Sequence, residues 1–317
     1  MTAPLIHAQA LSKRYPTQKS DAITGLDFSI PRGQLFGLVG PDGAGKTTTL
    51  RILSTVMEQS GGSASIAGCN VKTEADKARH HIGYMPQNFS LYPDLSVIEN
   101  LNFFANLHAV PTERKDIRIP ELLAFSRLDR FQSRRAGKLS GGMKKKLALA
   151  CALVHDPDVL LLDEPSTGVD PVSRRELWVI LAEVVRRGVA VLVSTPYMDE
   201  AERCHRVGVL YEGELLTSGT PEDLKAGLPY DIVEVKARPR KEMRRVVDAT
   251  DGILDWRPVG DRLRLTVPNT DSNAKRVIRA LKSGFKRDGL EVRILRQTKT
   301  TMEDVFIHMV AGQRGAE

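Results

Sequence analysis

The stretch Gly40-Pro-Asp-Gly-Ala-Gly-Lys46-Thr47 matches the pattern G-x-x-x-x-G-K-[ST] at every fixed position. It follows an apolar run at residues 34–39 that predicts a buried strand, and it precedes residues 47–55, which are typical of a helix start. Glycines let backbone N–H groups turn toward a phosphate without a Cβ in the way, and the helix N-terminus adds positive partial charge. The Lys46 side chain can reach the outer phosphates, and the Thr47 hydroxyl can bind Mg²⁺. The stretch therefore predicts a phosphate-binding loop.

A second motif, Val159-Leu-Leu-Leu-Asp163-Glu164, consists of four apolar residues followed by two adjacent carboxylates. A buried strand over the apolar residues would deliver Asp163 beside the Mg²⁺ ion of the phosphate loop. Glu164, one residue further on, can polarise an attacking water molecule. Downstream of a phosphate-binding loop, this pair of carboxylates predicts a site that binds and hydrolyses a nucleotide.

The distribution of apolar residues predicts two domains. Up to about residue 220, short apolar runs alternate with helical patterns, which is typical of an α/β domain with a parallel sheet. After a break at Gly219–Pro221, apolar and polar residues alternate in three segments and two amphipathic helices are predicted, so we expect a small α+β domain. The three predicted strands are 231–237, 262–267 and 291–295, and the two predicted helices are 274–282 and 302–310. The expected domains are residues 1–221 and 222–317.

The composition is that of an ordinary soluble globular protein, with 41% hydrophobic and 27% charged residues among 317. The longest apolar runs, residues 159–162 and 189–193, are far shorter than the roughly 20 residues of a membrane-spanning helix. The first eleven residues lack the charged start and apolar stretch of a signal peptide. Three scattered cysteines, none at metal-ligand spacing, predict reduced thiols.

The excess positive charge lies mainly in the C-terminal third of the chain. Residues 1–221 contain 26 Lys and Arg against 24 Asp and Glu, whereas residues 222–317 contain 20 against 15. Such a surface can face an anionic membrane, a nucleic acid or simply solvent, and the sequence leaves all three possibilities open.

A third motif, Leu139-Ser-Gly-Gly142, lies between the other two and by itself is typical of a loop with Ser140 as a helix N-cap. The order phosphate loop, L-S-G-G, apolar-D-E resembles the nucleotide-binding subunit of an ABC transporter, over residues 4–221. The resemblance implies an α/β P-loop NTPase cassette with a RecA-like core, an antiparallel β subdomain and a helical subdomain at about residues 88–138. The small C-terminal α+β domain would follow it.

The resemblance also implies ATP and Mg²⁺ as cofactors and assigns roles to residues of this chain. Glu164, Gln87 and Lys46 are the expected catalytic residues. Thr47, Gln87 and Asp163 are the expected metal ligands. Tyr15 resembles the aromatic residue that stacks on adenine. The phosphate-loop contacts to ATP are expected from Gly40, Pro41, Asp42, Gly43, Ala44, Gly45, Lys46, Thr47 and Thr48.

In this family, two cassettes form a head-to-tail dimer that sandwiches two ATP molecules. Ser140, Gly141 and Gly142 resemble the signature loop, which closes on the nucleotide bound by the opposite subunit. Asp170, in Gly168-Val-Asp170, resembles the loop that crosses the dimer interface. The implied partners are a second cassette, as homodimer or heterodimer, and a membrane permease that is a separate chain.

Two positions depart from the family pattern. Met143 follows Gly142 where glutamine is usual, and Pro196 follows the strand 189–195 where a histidine usually contacts the γ-phosphate. Proline has neither a hydrogen-bonding side chain nor a backbone N–H. Either hydrolysis is slower, or another group such as His205 substitutes, or the chain pairs with a subunit that carries the histidine.

Three further stretches resemble bacterial exporters of the multidrug and daunorubicin-resistance branch: residues 91–101, 197–202 and 301–306. An ATPase subunit of this branch would lie in the cytoplasm, peripherally on the inner face of the cell membrane. The alternatives are a soluble ABC ATPase that acts on nucleic acid or ribosomes, and a weakly hydrolysing cassette with a catalytic partner. A nucleic-acid partner is not expected, because the chain lacks an aromatic-plus-basic stripe.

Overall fold

A computed structural model describes residues 3–16, 20–88, 90–270 and 273–314. The chain divides into two compact units, an N-terminal unit, Met1–Pro221, and a C-terminal unit, Glu222–Glu317. In the part of the chain that is described, no helix is both long and apolar enough to cross a membrane.

The N-terminal unit is built from alternating strands and helices. In chain order these are β1 (Ile6–Lys13), β2 (Ile23–Ile30), β3 (Leu35–Val39), α1 (Lys46–Leu53), β4 (Gly61–Ile66), β5 (Cys69–Asn70), α2 (Ala75–His80), β6 (Ile82–Met85), α3 (Val97–Leu107), α4 (Thr112–Ser126), α5 (Gly141–Ala152), β7 (Val159–Asp163), α6 (Pro171–Arg186), β8 (Ala190–Thr195), α7 (Met198–Ala201), β9 (Arg206–Tyr211) and β10 (Glu214–Gly219). Short 3₁₀ turns lie at Asp129–Phe131 and Ala136–Lys138.

A six-stranded sheet forms the centre of this unit, in the order β10-β9-β3-β8-β7-β6. Its strands from β9 to β6 run parallel, and every residue of β3, β7 and β8 is buried. Parallel strands are covered on both faces, which explains why these three read as continuous apolar runs. The predictions of buried strands at residues 34–39, 159–162 and 189–195 are confirmed.

A second, antiparallel sheet has the order β2-β1-β4-β5. It shares one hydrophobic core with the six-stranded sheet. The rings of Phe28 on β2 and Phe36 on β3 stack within that core, with centroids 5.6 Å apart. In the chain, helices α3 and α4 lie at residues 97–126, between β6 and β7 of the six-stranded sheet. The expected α/β cassette fold, with its antiparallel β portion and helical portion, is thus present.

The register of the parallel strands brings the sequence motifs to one edge of the sheet. Val39 pairs with Thr195, and Asp163 pairs with Ser194, so β3, β7 and β8 end side by side. Helix α1 begins at Lys46, directly after the phosphate loop that follows β3. The carboxyl ends of parallel strands meet at one sheet edge, where ligands of open α/β sheets bind.

The C-terminal unit is a four-stranded antiparallel sheet with helices. After α8 (Pro221–Ala226), its elements are β11 (Tyr230–Arg238), α9 (Arg240–Asp248), β12 (Asp255–Val259), β13 (Arg262–Pro268), α10 (Asn273–Arg287), β14 (Glu291–Thr298) and α11 (Met302–Arg314). The strands lie in the sheet in the order β12-β13-β11-β14. From β11 to β14 the chain order is β-α-β-β-α-β, and the two orders together are those of a ferredoxin-like fold. Val246 of α9 and Val277 and Phe285 of α10 pack into its core. The small α+β domain is confirmed, although α9 and β12 were not predicted.

Candidate active site

A cleft of about 770 Å³ lies at the sheet edge where β3, β7 and β8 end. Of the predicted site residues, the cleft is lined by Tyr15, Asp42, Gly43, Gly45, Lys46, Thr47, Thr48, Gln87 and Glu164. Ser20, Asp21, Ala22, Glu212 and Gly213 also line it and were not predicted. Residues far apart in the sequence therefore converge on one site.

The phosphate loop uses left-handed backbone at two glycines. Gly43 has φ +81° and Gly45 has φ +105°, conformations that L side chains rarely adopt. A Cβ at Gly45 would also lie 2.6 Å from the carbonyl oxygen of Ala22. The base of the loop is a turn in which the N–H of Ala44 donates to the carbonyl of Pro41 over 3.2 Å. This geometry leaves room for backbone N–H groups to face a phosphate.

The Lys46 ammonium is buried and held by its own loop. It donates to the carbonyl oxygens of Gly40 and Pro41, at 2.9 and 3.0 Å. It also lies 3.5 Å from a carboxylate oxygen of Glu164. A cation therefore stands between the phosphate loop and the carboxylate proposed to act on water.

The side chains of Thr47 and Asp163, both expected metal ligands, lie next to each other. The Thr47 hydroxyl donates to Oδ1 of Asp163 over 3.1 Å, and the Ser194 hydroxyl donates to the same oxygen over 2.7 Å. Hydroxyl and carboxylate oxygens suit Mg²⁺, which takes few protein ligands when phosphates supply the others. The donor set is chemically compatible with that ion.

Glu164 follows β7 with a left-handed backbone, φ +48°. Its side chain is nearly fully buried, and Oε2 accepts from Nε2 of Gln87 at 3.0 Å and from the Thr167 hydroxyl at 3.1 Å. Its backbone N–H donates to the Ser194 hydroxyl at 3.0 Å. The carboxylate is thus held in one orientation at the cleft wall.

Tyr15 lines the cleft from the antiparallel β portion of the unit. Its hydroxyl lies 3.3 Å from the Thr48 hydroxyl and 3.3 Å from the sulfur of Met57. The ring therefore lies beside the phosphate loop in the wall of the cleft. Stacking of the ring on adenine stays a prediction.

The predicted signature and interface residues are placed elsewhere. Ser140 caps α5 by accepting the N–H of Met143 at 3.3 Å, and Gly141 and Gly142 form its first turn. Asp170 caps α6 by accepting the N–H groups of Val172 and Ser173. Among the described residues, none of these four predicted residues lines the cleft. One chain by itself therefore does not bring the signature to the phosphate loop.

The structure locates Pro196, which stands where the family usually has a histidine. Pro196 directly follows Thr195 at the end of β8, near the cleft edge of the sheet. His205 accepts the N–H of Leu35 through Nδ1 at 3.0 Å, which places it at the start of β3, the opposite end of that strand. The structure therefore argues against His205 as the substitute for the missing histidine.

Two charged side chains beside the site were missed by sequence reasoning, one of them buried and the other half-buried. Glu200 is fully buried and accepts from the hydroxyls of Ser166 at 2.5 Å and Thr195 at 2.6 Å. It joins the loop after Glu164 to the end of β8. Lys145 of α5 reaches the backbone of Gln87. Their significance depends on tertiary contacts, which no sequence motif signals.

Comparison with known proteins agrees with this geometry. Residues 23–167 match the family described as "ABC transporter", and residues 219–310 match "ATP-binding protein DrrA1-3-like, C-terminal domain". The chain is 41% identical over 324 residues to the "Probable multidrug ABC transporter ATP-binding protein YbhF" of Escherichia coli (strain K12). That alignment covers 100% of this chain but 54% of the relative, so the chain spans about half its length.

A second relative and a solved structure extend the comparison. The chain is 35% identical to the "Daunorubicin resistance ATP-binding protein DrrA2" of Streptomyces coeruleorubidus, covering 96% of this chain and 94% of the relative. It superposes on the dimeric, post-hydrolysis structure of the ATP-binding cassette MJ0796 bound to ADP and Pi with TM-score 0.62 and 26% identity, covering 68% of this chain and 98% of that one. Together, the sequence, the fold and the cleft show that the chain belongs to the ATP-binding proteins of the ABC transporter family.

Proposed function

We propose that the chain hydrolyses ATP and so energises a membrane exporter whose permease is a separate chain. The observation that carries the proposal is the hydrogen-bonded set in the cleft. Glu164 is held by Gln87 at 3.0 Å and lies 3.5 Å from Lys46, while Thr47 and Asp163 meet at 3.1 Å. This arrangement supports the proposal, because phosphoryl transfer to water calls for such groups beside the phosphates.

The residues divide the reaction between them. The phosphate loop and Lys46 bind the phosphates of ATP. Glu164 orients the attacking water and accepts its proton, with its carboxylate held by Gln87. Thr47, Asp163 and Gln87 would hold Mg²⁺, which when bound neutralises charge on the phosphate oxygens.

The site is proposed to be completed by a second cassette. Ser140, Gly141 and Gly142 lie outside the cleft of their own chain. They form the N-terminus of helix α5. A helix N-terminus favours phosphate, so these residues suit the γ-phosphate bound by a partner subunit. Asp170, at the start of α6, would lie at the same interface.

The names of the relatives support an exporter, and the family supports a permease partner. We infer that the chain works on the cytoplasmic side of the membrane. Residues 1–221 would form the ATP-binding domain, with the helical portion at about 88–138 facing the permease, and residues 222–317 an accessory domain. ATP binding would close the dimer and hydrolysis would reopen it.

The direct test is steady-state ATPase activity of the purified chain with Mg²⁺, beside Glu164→Gln and Lys46→Ala. We expect Glu164→Gln to bind ATP but to lose at least about 100-fold in turnover. Lys46→Ala should lose both binding and turnover. Turnover that survives in both variants would contradict the proposed site. If the wild type binds ATP without turnover, it is the non-hydrolysing half of an asymmetric pair.

A further inference from the structure

One lysine joins the helix that follows the signature loop to the backbone of the two residues proposed to handle the attacking water. The ammonium of Lys145 donates to the backbone carbonyl of Gln87 at 2.9 Å. The same nitrogen lies 3.5 Å from the backbone carbonyl of Glu164. The side chains of Gln87 and Glu164 in turn hydrogen-bond to each other at 3.0 Å. The three residues therefore form a closed set of contacts.

The environment of Lys145 distinguishes it from an ordinary surface lysine. Burial lowers the pKa of its ammonium, and the nearby carboxylates of Asp163 and Glu164 act in the opposite direction. Fixing a long lysine side chain in one position costs conformational entropy, so the position needs compensating interactions. Two backbone carbonyls and two nearby carboxylates supply them.

The helix α5 connects this lysine rigidly to the signature loop. Ser140 caps α5, and Lys145 lies in its second turn. The following turns, including Leu147 and Leu149, are buried in the N-terminal unit. A displacement at Ser140 is therefore transmitted along a hydrogen-bonded helix to Lys145.

We propose that Lys145 is a positioning residue that couples the signature loop to Gln87 and Glu164 of its own chain. The inference rests on the proposed function, in which Ser140 engages the nucleotide of a partner. When Ser140 is engaged, α5 fixes Lys145, and Lys145 fixes the backbone that carries Gln87 and Glu164. Each cassette would then sense through α5 whether its signature loop is occupied.

The test compares Lys145→Met, which keeps the aliphatic stem but removes the charge, with Lys145→Arg. Lys115→Met serves as the control, because it removes an exposed ammonium that contacts Asn106 on the helical portion. In Lys145→Met we expect kcat to fall about tenfold, with KM and nucleotide affinity changed less than about twofold. Lys145→Arg should keep at least about half of the activity, because it retains the cation.

A second readout follows hydrogen exchange of backbone amides with and without Mg²⁺-ATP. In the wild type, ATP should slow the exchange of backbone amides at residues 40–48 and also at residues 82–88. In Lys145→Met, protection of 40–48 should remain and that of 82–88 should be lost. A merely structural lysine would change both segments together.

Two results would overturn the inference. One is a Lys145→Met protein whose turnover and exchange pattern match those of the wild type. The other is loss of nucleotide affinity and melting temperature in Lys145→Met together with turnover. If the wild type itself shows no turnover, the proposed function fails, and the exchange of residues 82–88 still decides the role of Lys145.

Discussion

At the scale of single residues, Pro196 sets the expected rate of hydrolysis. Among the described residues that line the cleft there is no histidine, and His205 lies at the far end of β3. We expect Pro196→His to raise kcat about tenfold, because an imidazole adds a hydrogen-bond donor toward the γ-phosphate. His205→Ala, made for comparison, should leave kcat unchanged. Steady-state turnover of the two variants checks this prediction. If kcat does not rise in Pro196→His, Pro196 is not what limits the rate of hydrolysis.

Two glycines of the phosphate loop form a matched pair. Both have positive φ, but a Cβ at Gly43 would meet nothing within 4 Å, whereas at Gly45 it would lie 2.6 Å from Ala22 oxygen and from Ile23 Cγ2. Gly43→Ala should lower the free energy of unfolding by about 1–2 kcal/mol, from backbone strain alone. Gly45→Ala should also lower ATP affinity at least about tenfold. Thermal unfolding and nucleotide titration distinguish them, and equal effects would contradict the packing described for Gly45.

Single-residue roles differ in how far the sequence reveals them. The phosphate loop and the Asp163–Glu164 pair have fixed spacing next to apolar runs, so their place at the sheet edge follows from pattern and topology. Glu200 has no such signal, since a glutamate in a short helix is ordinarily exposed. It becomes a buried junction because Ser166 donates to it from the loop after Glu164 and Thr195 donates to it from the end of β8. Only tertiary packing determines that contact.

At the scale of elements, the stretch 301–306 explains how α11 is fixed in the C-terminal unit. Thr301 and Asp304 form a reciprocal cap at the start of α11, with Asp304 accepting the Thr301 N–H at 2.9 Å. Asp304 is 3% exposed and also accepts from Arg257 at 2.7 Å and Arg264 at 2.6 Å. One carboxylate therefore joins α11 to β12 and β13.

Because of this carboxylate, we expect the C-terminal unit to lose stability in acid. Burial by itself raises the pKa of Asp304, but hydrogen bonds from Arg257, Thr301 and Arg264 outweigh it, and the net pKa is lowered. Because the folded-state pKa lies below the unfolded one, the stabilisation is complete above about pH 4 and is lost as pH falls through the folded-state pKa. Asp304→Asn should lower the free energy of unfolding by roughly 3 kcal/mol at pH 7. It should also remove part of the loss of stability at low pH.

The measurement is denaturant unfolding of the full chain at pH 7 and below pH 4. Trp256 of β12 reports on the C-terminal unit, in a Trp178→Phe background that removes the tryptophan of α6. An Asp304→Asn protein as stable as its parent at pH 7 would contradict the role of this carboxylate.

Elements were predicted best where burial is complete. The parallel strands β3, β7 and β8 are buried throughout and apolar up to their carboxyl ends, so their positions could be predicted closely. Strand β12 contains Pro258 and lies at the sheet edge, where proline is tolerated but the strand pattern is weak. Helix α9 has nine residues with three buried positions, Met243, Val246 and Val247, among many charges, too short a pattern to identify with certainty.

At the scale of the whole molecule, the positive charge concentrates on two helices. Helices α9 and α10 contain ten exposed Lys and Arg against two acidic residues, Glu242 and Asp248. Phe285, the aromatic residue of these helices, is fully buried, so the two helices themselves expose no aromatic side chain on which a base could stack. We expect an unstructured RNA oligomer to bind weakly at low salt and not measurably near 150 mM salt, by fluorescence anisotropy. Saturable binding at that salt would favour a nucleic-acid role.

The separation of the signature from the cleft is the most consequential feature of the N-terminal unit, because the site we propose is then completed only by a second chain. The most direct test uses Glu164→Gln, in which ATP should remain bound. Size-exclusion chromatography with light scattering should give a monomer with ADP and a dimer with Mg²⁺-ATP. Adding Ser140→Asp keeps a good N-cap for α5 but sets a negative charge against the γ-phosphate, so it should abolish the dimer. A Glu164→Gln chain that stays monomeric with ATP, or a dimer indifferent to Ser140→Asp, would contradict the composite site.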